Sequence, residues 1–253
     1  MKKKYSTIII LLAVWLTACT KVINIDLKDK SGQFVIEGNI TSQPPPYYVK
    51  ISKSGAFSNE TGFETINNAL VIISDNLGTV DTLTWVSNGY YKTNKITGTR
   101  GATYKMNAAI GTTVFTAEST MPSPVNFDTL VVFEEAGSKY LLAVYKDQEE
   151  VNYYRFKTTI NGKPSGSINI FDDKLNNGML ITQPLNDMIK SGDSVTVNMT
   201  CIDEPVYNYF FGVDQIAGMG ESATPVNPVS NIHGGCLGYF SAQTQQQRSI
   251  IIP

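Results

Sequence analysis

Short runs of apolar or alternating residues, separated by turn residues, constrain the fold of this chain most strongly. Seven such runs lie at 34–40, 47–52, 69–74, 82–86, 90–93, 104–110 and 114–118. Asn88-Gly89 separates two of them and favours a two-residue hairpin, because both residues tolerate positive φ. No helical period of useful length interrupts the series. Seven short strands within about 90 residues predict an antiparallel, immunoglobulin-like β-sandwich.

The second half of the chain continues this pattern with one exception. Runs at 129–133, 140–145, 153–160, 168–170 and 194–202 predict further strands. Residues 205–218 have apolar side chains at nearly helical spacing, and Pro205 suits the first turn of a helix. Pro122 and Pro124 mark a boundary. We therefore expect a mainly β fold with two β-sandwich-like domains, at 33–122 and 125–253, the second with one inserted helix near 205–218.

The N-terminal residues carry an export signal. Three lysines at positions 2–4 precede a short apolar run at 8–16, and small residues lead to Cys19. The run is shorter than the roughly 20 apolar residues that a membrane-spanning helix needs. The pattern resembles the lipobox of bacterial lipoproteins, in which the cysteine thiol receives diacylglycerol. It predicts a signal peptide at 1–18, a lipid on Cys19 and a tether over 19–32, so that the lipid holds the protein on a membrane.

Charge and composition exclude several partners. Without the lysines at 2–4, 17 of the 20 basic residues remain against 22 acidic ones, a formal charge of −5. Nucleic acid is not an expected partner, because nucleic-acid-binding proteins carry a basic footprint. One histidine, His233, and few cysteines make a zinc site unexpected. We expect no metal and no cofactor, and the sequence identifies no small-molecule ligand.

Cys201 and Cys236 are the cysteines that remain beside Cys19. Exported proteins meet oxidising conditions, so these two could form one disulfide. The alternative is two separate buried thiols that pack as small apolar groups. Sequence spacing alone leaves both alternatives open.

The sequence offers no assembled catalytic group. Acidic pairs at 134–135, 149–150, 172–173 and 203–204 suggest glycosidase carboxylates, but adjacent residues on a strand point to opposite faces. A nucleophile would need His233 as its base, and the chain has no Gly-x-Ser-x-Gly motif. We therefore expect no catalytic residues and a protein that is not an enzyme.

Three short motifs resemble an O-glycosylation signal of exported bacterial proteins. They are Asp81-Thr82-Leu83, Asp128-Thr129-Leu130 and Asp193-Ser194-Val195. The candidate acceptors are Thr82, Thr129 and Ser194. Chance matches are the alternative, because aspartate often precedes a strand in a β protein rich in threonine.

Several motifs together resemble a Bacteroidota lipoprotein family known as domain of unknown function 4249. Beyond the lipobox these include Val35-Ile-Glu-Gly38, Asn152-Tyr-Tyr-Arg155, Asn227-Pro228, Ser230-Asn231 and Gly238-Tyr-Phe-Ser241. The resemblance implies an outer-membrane lipoprotein, encoded near TonB-dependent transporters, but no catalytic or ligand residues. Separately, Gly89-Tyr90-Tyr91 followed by Tyr104 resembles transthyretin-like β modules in fold.

These observations lead to a functional expectation with two alternatives. We expect a lipid-anchored outer-membrane protein that serves a TonB-dependent uptake system as an accessory or binding module, with the transporter as its partner. The alternatives are a surface hydrolase of glycans or peptides and a structural or adhesive envelope lipoprotein. Both the periplasmic and the surface-facing side of the membrane stay open.

Overall fold

The computed structural model describes residues 32–55, 63–218 and 227–253, which contain 17 strands and one helix. The first strands are β1 (Phe34–Thr41), β2 (Tyr48–Lys53), β3 (Leu70–Asp75), β4 (Val80–Thr82), β5 (Thr84–Ser87), β6 (Tyr90–Lys92), β7 (Thr103–Ile110) and β8 (Thr113–Thr120). The later elements are β9 (Asn126–Glu135), β10 (Ser138–Lys146), β11 (Tyr153–Ile160), β12 (Lys163–Pro164), β13 (Asn169–Asp172), β14 (Leu180–Ile189), β15 (Ser194–Ile202), α1 (Glu204–Gly218), β16 (Ile232–His233) and β17 (Leu237–Ile251). The predicted mainly β fold with one helix is confirmed for these segments.

The strands form three sheets in the described segments. The largest has nine strands in the order β12-β11-β15-β17-β1-β2-β6-β5, with β13 also paired to β11. A five-stranded sheet has the order β16-β8-β7-β3-β4, and a three-stranded sheet has the order β14-β10-β9. The two smaller sheets pack on the large one in a sandwich-like arrangement.

Two hydrophobic cores fill the space between these layers. The first core joins β1, β2 and β6 to the five-stranded sheet and includes Ile51 and Phe115. The second core joins β11 and β15 to the three-stranded sheet and includes Tyr145 and Phe156. Apart from four residues at 232–242, the residues of the first core all lie at or before Met121 in the chain. The second core begins at Val125, so Pro122 and Pro124 lie between the two.

The long strand β17 takes part in both halves of the structure. Its first part pairs in parallel with β1, up to Thr41 opposite Gln243. The following residues pair antiparallel with β15, from Cys201 opposite Thr244 onward. All described residues belong to one compact unit, Ser31–Pro253. The division into two domains at 122–125 stays a prediction; it coincides with the change from one core to the other.

Two glycines permit the close pairing of β1 with β17. Gly238 has a φ of 97°, and a Cβ there would lie 2.0 Å from the backbone oxygen of Ile36. A Cβ on Gly38 would lie 2.8 Å from the Phe240 ring. Only glycine fits the close backbone approach at Gly238, and a Cβ on Gly38 would displace the Phe240 ring. These glycines explain two of the short motifs, Val35-Ile-Glu-Gly38 and Gly238-Tyr-Phe-Ser241.

The helix α1 packs on the nine-stranded sheet. Val206 and Phe210 contact Ile202 and Tyr239 in a third hydrophobic cluster. This cluster lies on the face opposite the second core, because Ile202 and its neighbour Cys201 alternate along β15. In the described part of the chain, no helix has the length and apolar character that crossing a membrane requires.

Candidate functional site

The three hydroxyl residues predicted for O-glycosylation are exposed. Thr82 ends β4, Thr129 lies in β9 and Ser194 begins β15. Their glycosylation stays a prediction. Cys19 lies outside the described residues, and its lipidation likewise stays a prediction.

Asp81, directly before Thr82, has a structural role that the sequence did not reveal. Its buried carboxylate accepts hydrogen bonds from the backbone N–H groups of Asn94, Lys95 and Ile96, at 2.7, 2.7 and 3.1 Å. Burial by itself would raise the pKa of Asp81, but these hydrogen bonds outweigh burial and lower the pKa. The Asp81 carboxylate therefore holds the segment that follows β6.

Cys201 and Cys236 are free, buried thiols in different cores. Cys201 lies opposite Thr244, and Cys236 precedes Thr244 by eight residues, about 26 Å of extended strand. A disulfide needs Cα atoms within about 7 Å. Of the two alternatives that the sequence left open, the structure has two separate thiols. Burial raises the pKa of both, that of Cys236 to about 11.

A concave region of about 470 Å³ between β8, β16 and the start of α1 contains His233. Here Ser119 Oγ donates a hydrogen bond to Asp203 Oδ2 at 2.7 Å and accepts one from the Ala242 N–H at 2.8 Å. Asp203 also accepts the Val206 N–H at 3.3 Å and so caps α1. Burial raises the pKa of Asp203. These contacts join the first core to the start of the helix.

Two buried carboxylates, Asp147 and Asp173, hold turns beside the second core. Asp147 accepts hydrogen bonds from the Tyr154 hydroxyl and the Gly178 N–H, and Asp173 accepts the Asn152 N–H at 2.8 Å. Burial, followed by the nearby Asp147, raises the pKa of Asp173. Within residues 32–55, 63–218 and 227–253, no group of three or more His, Cys, Asp or Glu side chains could hold a metal ion.

Strand β11 presents two cations on the outer face of the nine-stranded sheet. Tyr154 and Phe156 lie in the second core, so Arg155 and Lys157 point to the opposite face. We call the group formed by Arg155, Lys157, Glu37, Asn39 and Tyr239 the Arg155 cluster.

Aromatic rings from α1 and β17 border the Arg155 cluster. The Cζ atom of Arg155 lies 3.5 Å from the centroid of the Phe210 ring, which is a cation–π contact. The Phe210 and Tyr239 rings meet edge to face with centroids 4.7 Å apart. Asn39 Nδ2 donates a hydrogen bond to the Tyr239 hydroxyl at 3.2 Å. The helix thus fixes the guanidinium against the sheet.

Two polar atoms of the Arg155 cluster are buried without a hydrogen-bond partner. They are Nη1 of Arg155 and Oδ1 of Asn39. Neither Arg155 nor Lys157 belongs to an ion pair in the part of the chain that the structure describes. A buried donor without a hydrogen-bond partner costs about 1–3 kcal/mol of stability. In this cluster Nη1 of Arg155 lacks an acceptor, and Oδ1 of Asn39 lacks a donor.

The pKa values of both cations in the cluster are lowered. Desolvation by the surrounding protein, followed by the neighbouring Arg155 charge, lowers the pKa of Lys157 to about 8, although Lys157 is exposed. Desolvation likewise lowers the pKa of Arg155, and the Tyr239 hydroxyl opposes that shift. Perturbed groups of this kind are candidates for a functional site. An anion placed beside both cations would stabilise their charged forms.

Three of the short sequence motifs meet in this cluster. Glu37 belongs to Val35-Ile-Glu-Gly38, Arg155 ends Asn152-Tyr-Tyr-Arg155, and Tyr239 belongs to Gly238-Tyr-Phe-Ser241. None of the curated proteins matches the chain. The family model described as a domain of unknown function (DUF4249) matches residues 20–249. The chain therefore belongs to the DUF4249 family.

Proposed function

We propose that this protein is a lipid-anchored lipoprotein of the outer membrane in Bacteroidota that serves a TonB-dependent uptake system as an accessory or binding module. The observation that carries the proposal is the export signal that ends at Cys19. Two or three acyl chains on Cys19 would make the membrane attachment stable, whereas one chain holds only marginally. The resemblance to this lipoprotein family supports the link to uptake, because the genes of its members are commonly found near those of TonB-dependent transporters.

The small number of residues between Cys19 and the first strand supports a module that works close to the membrane. β1 begins at Phe34, fifteen residues after Cys19, and a chain of that length spans about 50 Å at most. A module held at this distance can reach the mouth of a transporter in the same membrane.

The Arg155 cluster supports a binding role. It has two cations that form no ion pair within the described residues, a buried amide oxygen without a hydrogen-bond partner, and aromatic rings on the same face of the nine-stranded sheet. A few polar groups with aromatic neighbours are typical of ligand sites. Ser119, in contrast, uses its hydroxyl in two structural hydrogen bonds.

Deletion of the gene tests the proposal. We expect the deletion strain to lose growth on one or a few nutrients, and the wild-type gene to restore it. The Cys19→Ala variant should restore growth poorly, because it lacks the anchor. Normal growth of the deletion strain on every nutrient tested would contradict the proposal, and turnover of a glycan or peptide by the purified full-length protein would favour the hydrolase alternative.

A further inference from the structure

Two loops meet beside the second core through a pair of buried aspartates. Asp147 begins the loop at 147–152 that follows β10, and Asp173 begins the loop at 173–178 that follows β13. Their side chains are only 3 % and 2 % exposed, and their carboxyl groups lie within hydrogen-bond reach of each other. The Asp173 N–H donates to the Asn152 carbonyl at 3.3 Å and so joins the two loops. We call Asp147 and Asp173 the aspartate pair.

The donors around the aspartate pair satisfy one carboxyl and leave the other incomplete. Asp147 Oδ1 accepts a hydrogen bond from the Tyr154 hydroxyl, and its Oδ2 accepts the Gly178 N–H at 2.8 Å. Asp173 Oδ2 accepts the Asn152 N–H at 2.8 Å, but Asp173 Oδ1 is buried without a hydrogen-bond partner. Donors favour the ionised form of a carboxyl, so Asp147 accommodates a negative charge better and Asp173 a proton.

No cation of the described residues neutralises the pair. Neither aspartate belongs to an ion pair in those segments. Lys146 donates instead to the Gly178 carbonyl at 2.8 Å, and Lys174 lies 3.9 Å from Asp172. Two ionised carboxylates that share a buried place repel each other, so one of them tends to keep its proton.

The other titratable groups that face the pair are neutral. They come from three strands and have pKa values that burial raises, namely Tyr145 on β10, Tyr153 and Tyr154 on β11, and Cys201 on β15. The charged side chains of the two loops and the adjoining strand ends are exposed or half-buried, namely Lys146, Glu149, Glu150, Asp172 and Lys174. Burial raises the pKa of Asp173, and so does the nearby Asp147.

We propose that the aspartate pair shares one proton, donated from Asp173 Oδ1 to the Asp147 carboxylate, over a pH range in which an ordinary aspartate is ionised. A calcium ion fits this place less well, because calcium takes about six to eight oxygen ligands and the pair supplies two carboxyls. As pH rises the proton leaves to water, both carboxyls become charged, and their repulsion weakens the contact between the two loops. The pair is therefore a pH-sensitive contact built into the fold.

Thermal unfolding of the full-length protein in detergent between pH 3 and 8 tests the inference. Asp173→Asn supplies an amide N–H to Asp147 at every pH and keeps an oxygen for the Asn152 N–H. In the wild type, the stability that the proton contributes is complete below the unfolded pKa of 3.8 and is lost as pH rises through the higher folded value. The Tm of Asp173→Asn should therefore match the wild type near pH 3. It should exceed the wild type at higher pH, by about 3–5 °C for each unit between the two pKa values.

Asp187→Asn is the matched control. Asp187 is a buried aspartate of β14 whose carboxylate accepts hydrogen bonds from Thr158, Ser165 and Asn169. An amide N–H at this place would face hydrogen-bond donors, so the Tm of Asp187→Asn should lie below that of the wild type at pH 7.

Infrared spectroscopy detects the proton itself. The wild type should show the C=O band of a protonated carboxyl, which disappears with a midpoint at least about one pH unit above 3.8. The band should be missing from Asp173→Asn. Asp203, whose pKa burial also raises, is present in both proteins and cancels in the difference spectrum.

The inference fails on any of three results. The first is an Asp173→Asn protein that is less stable than the wild type at pH 7 or does not fold, because asparagine has the shape of a protonated aspartic acid. The second is the same infrared band in both proteins. The third is a Tm of the wild type, but not of Asp173→Asn, that calcium chloride raises relative to EDTA, because a metal ion would then occupy the pair.

Discussion

Replacement of Asp81 distinguishes its structural role from its place in a glycosylation motif. The Asp81 side chain is buried and accepts three backbone N–H groups of residues 94–96. Asp81→Ala leaves these donors without an acceptor, at about 1 kcal/mol or more each, so the free energy of unfolding should fall by about 3 kcal/mol. For a protein of this size, 1 kcal/mol changes the Tm by about 2–4 °C, which gives a decrease of about 6–12 °C.

The pH dependence follows from the lowered pKa of Asp81. Its contribution to stability is complete above the unfolded value near 3.8 and is lost as pH falls through the lower folded value. The stability deficit of Asp81→Ala should therefore shrink below about pH 4.

The assay is thermal unfolding of both proteins between pH 3 and 7, with Thr82→Ala as control. Thr82 is exposed, so its replacement should change stability by less than about 0.5 kcal/mol. If Asp81→Ala unfolds at the wild-type temperature at pH 7, the structural role assigned to the carboxylate is wrong. A mass decrease in Thr82→Ala larger than the substitution itself would indicate a glycan at Thr82.

Three further predictions concern other parts of the molecule. Ser119→Ala removes the hydrogen-bond donor to Asp203 and leaves the buried Ala242 N–H without an acceptor. Denaturant titration should therefore show a free energy of unfolding lower by about 2–4 kcal/mol, and a decrease below about 0.5 kcal/mol would contradict this. Intact mass under non-reducing conditions should match free thiols at Cys201 and Cys236, whereas a mass lower by two hydrogens would reveal a disulfide. Supplied palmitate should label the wild type, and a labelled Cys19→Ala protein would refute lipidation at that position.

Local signals predicted much of the fold. Asn88 and Gly89 have φ of 49° and 76°, and Asn161 and Gly162 have 51° and 77°, as hairpin turns of this kind require. The helix predicted near 205–218 is confirmed as Glu204–Gly218. Short-range chemistry decides such elements, so a single sequence suffices to find them.

Tertiary pairing decided the elements that the sequence did not indicate. β14 contains Pro184, which argues against a strand, but β14 is the edge of its sheet, where a missing N–H is tolerated. The polar second half of β17 shows no apolar alternation. Its pairing with β15 fixes it, and Gln246 bonds the backbone of Val125 and Phe127.

The sequence did not predict the Arg155 cluster, because tertiary pairing brings its residues together from distant parts of the chain. Asn39 and Tyr239, which are hydrogen-bonded, are 200 residues apart in the chain. One local signal was available: Tyr153, Arg155 and Lys157 alternate with buried residues on β11. Alternation of this kind places cations on one face of a strand, but it does not indicate what covers or pairs with them.

Affinity purification of the natively lipidated protein from outer membranes tests the central claim most directly. The account predicts that a TonB-dependent transporter co-purifies with the wild type in near-equal amount, and that the Cys19→Ala variant recovers far less of it. Repeated purification of the wild-type lipoprotein without any such transporter would contradict the account.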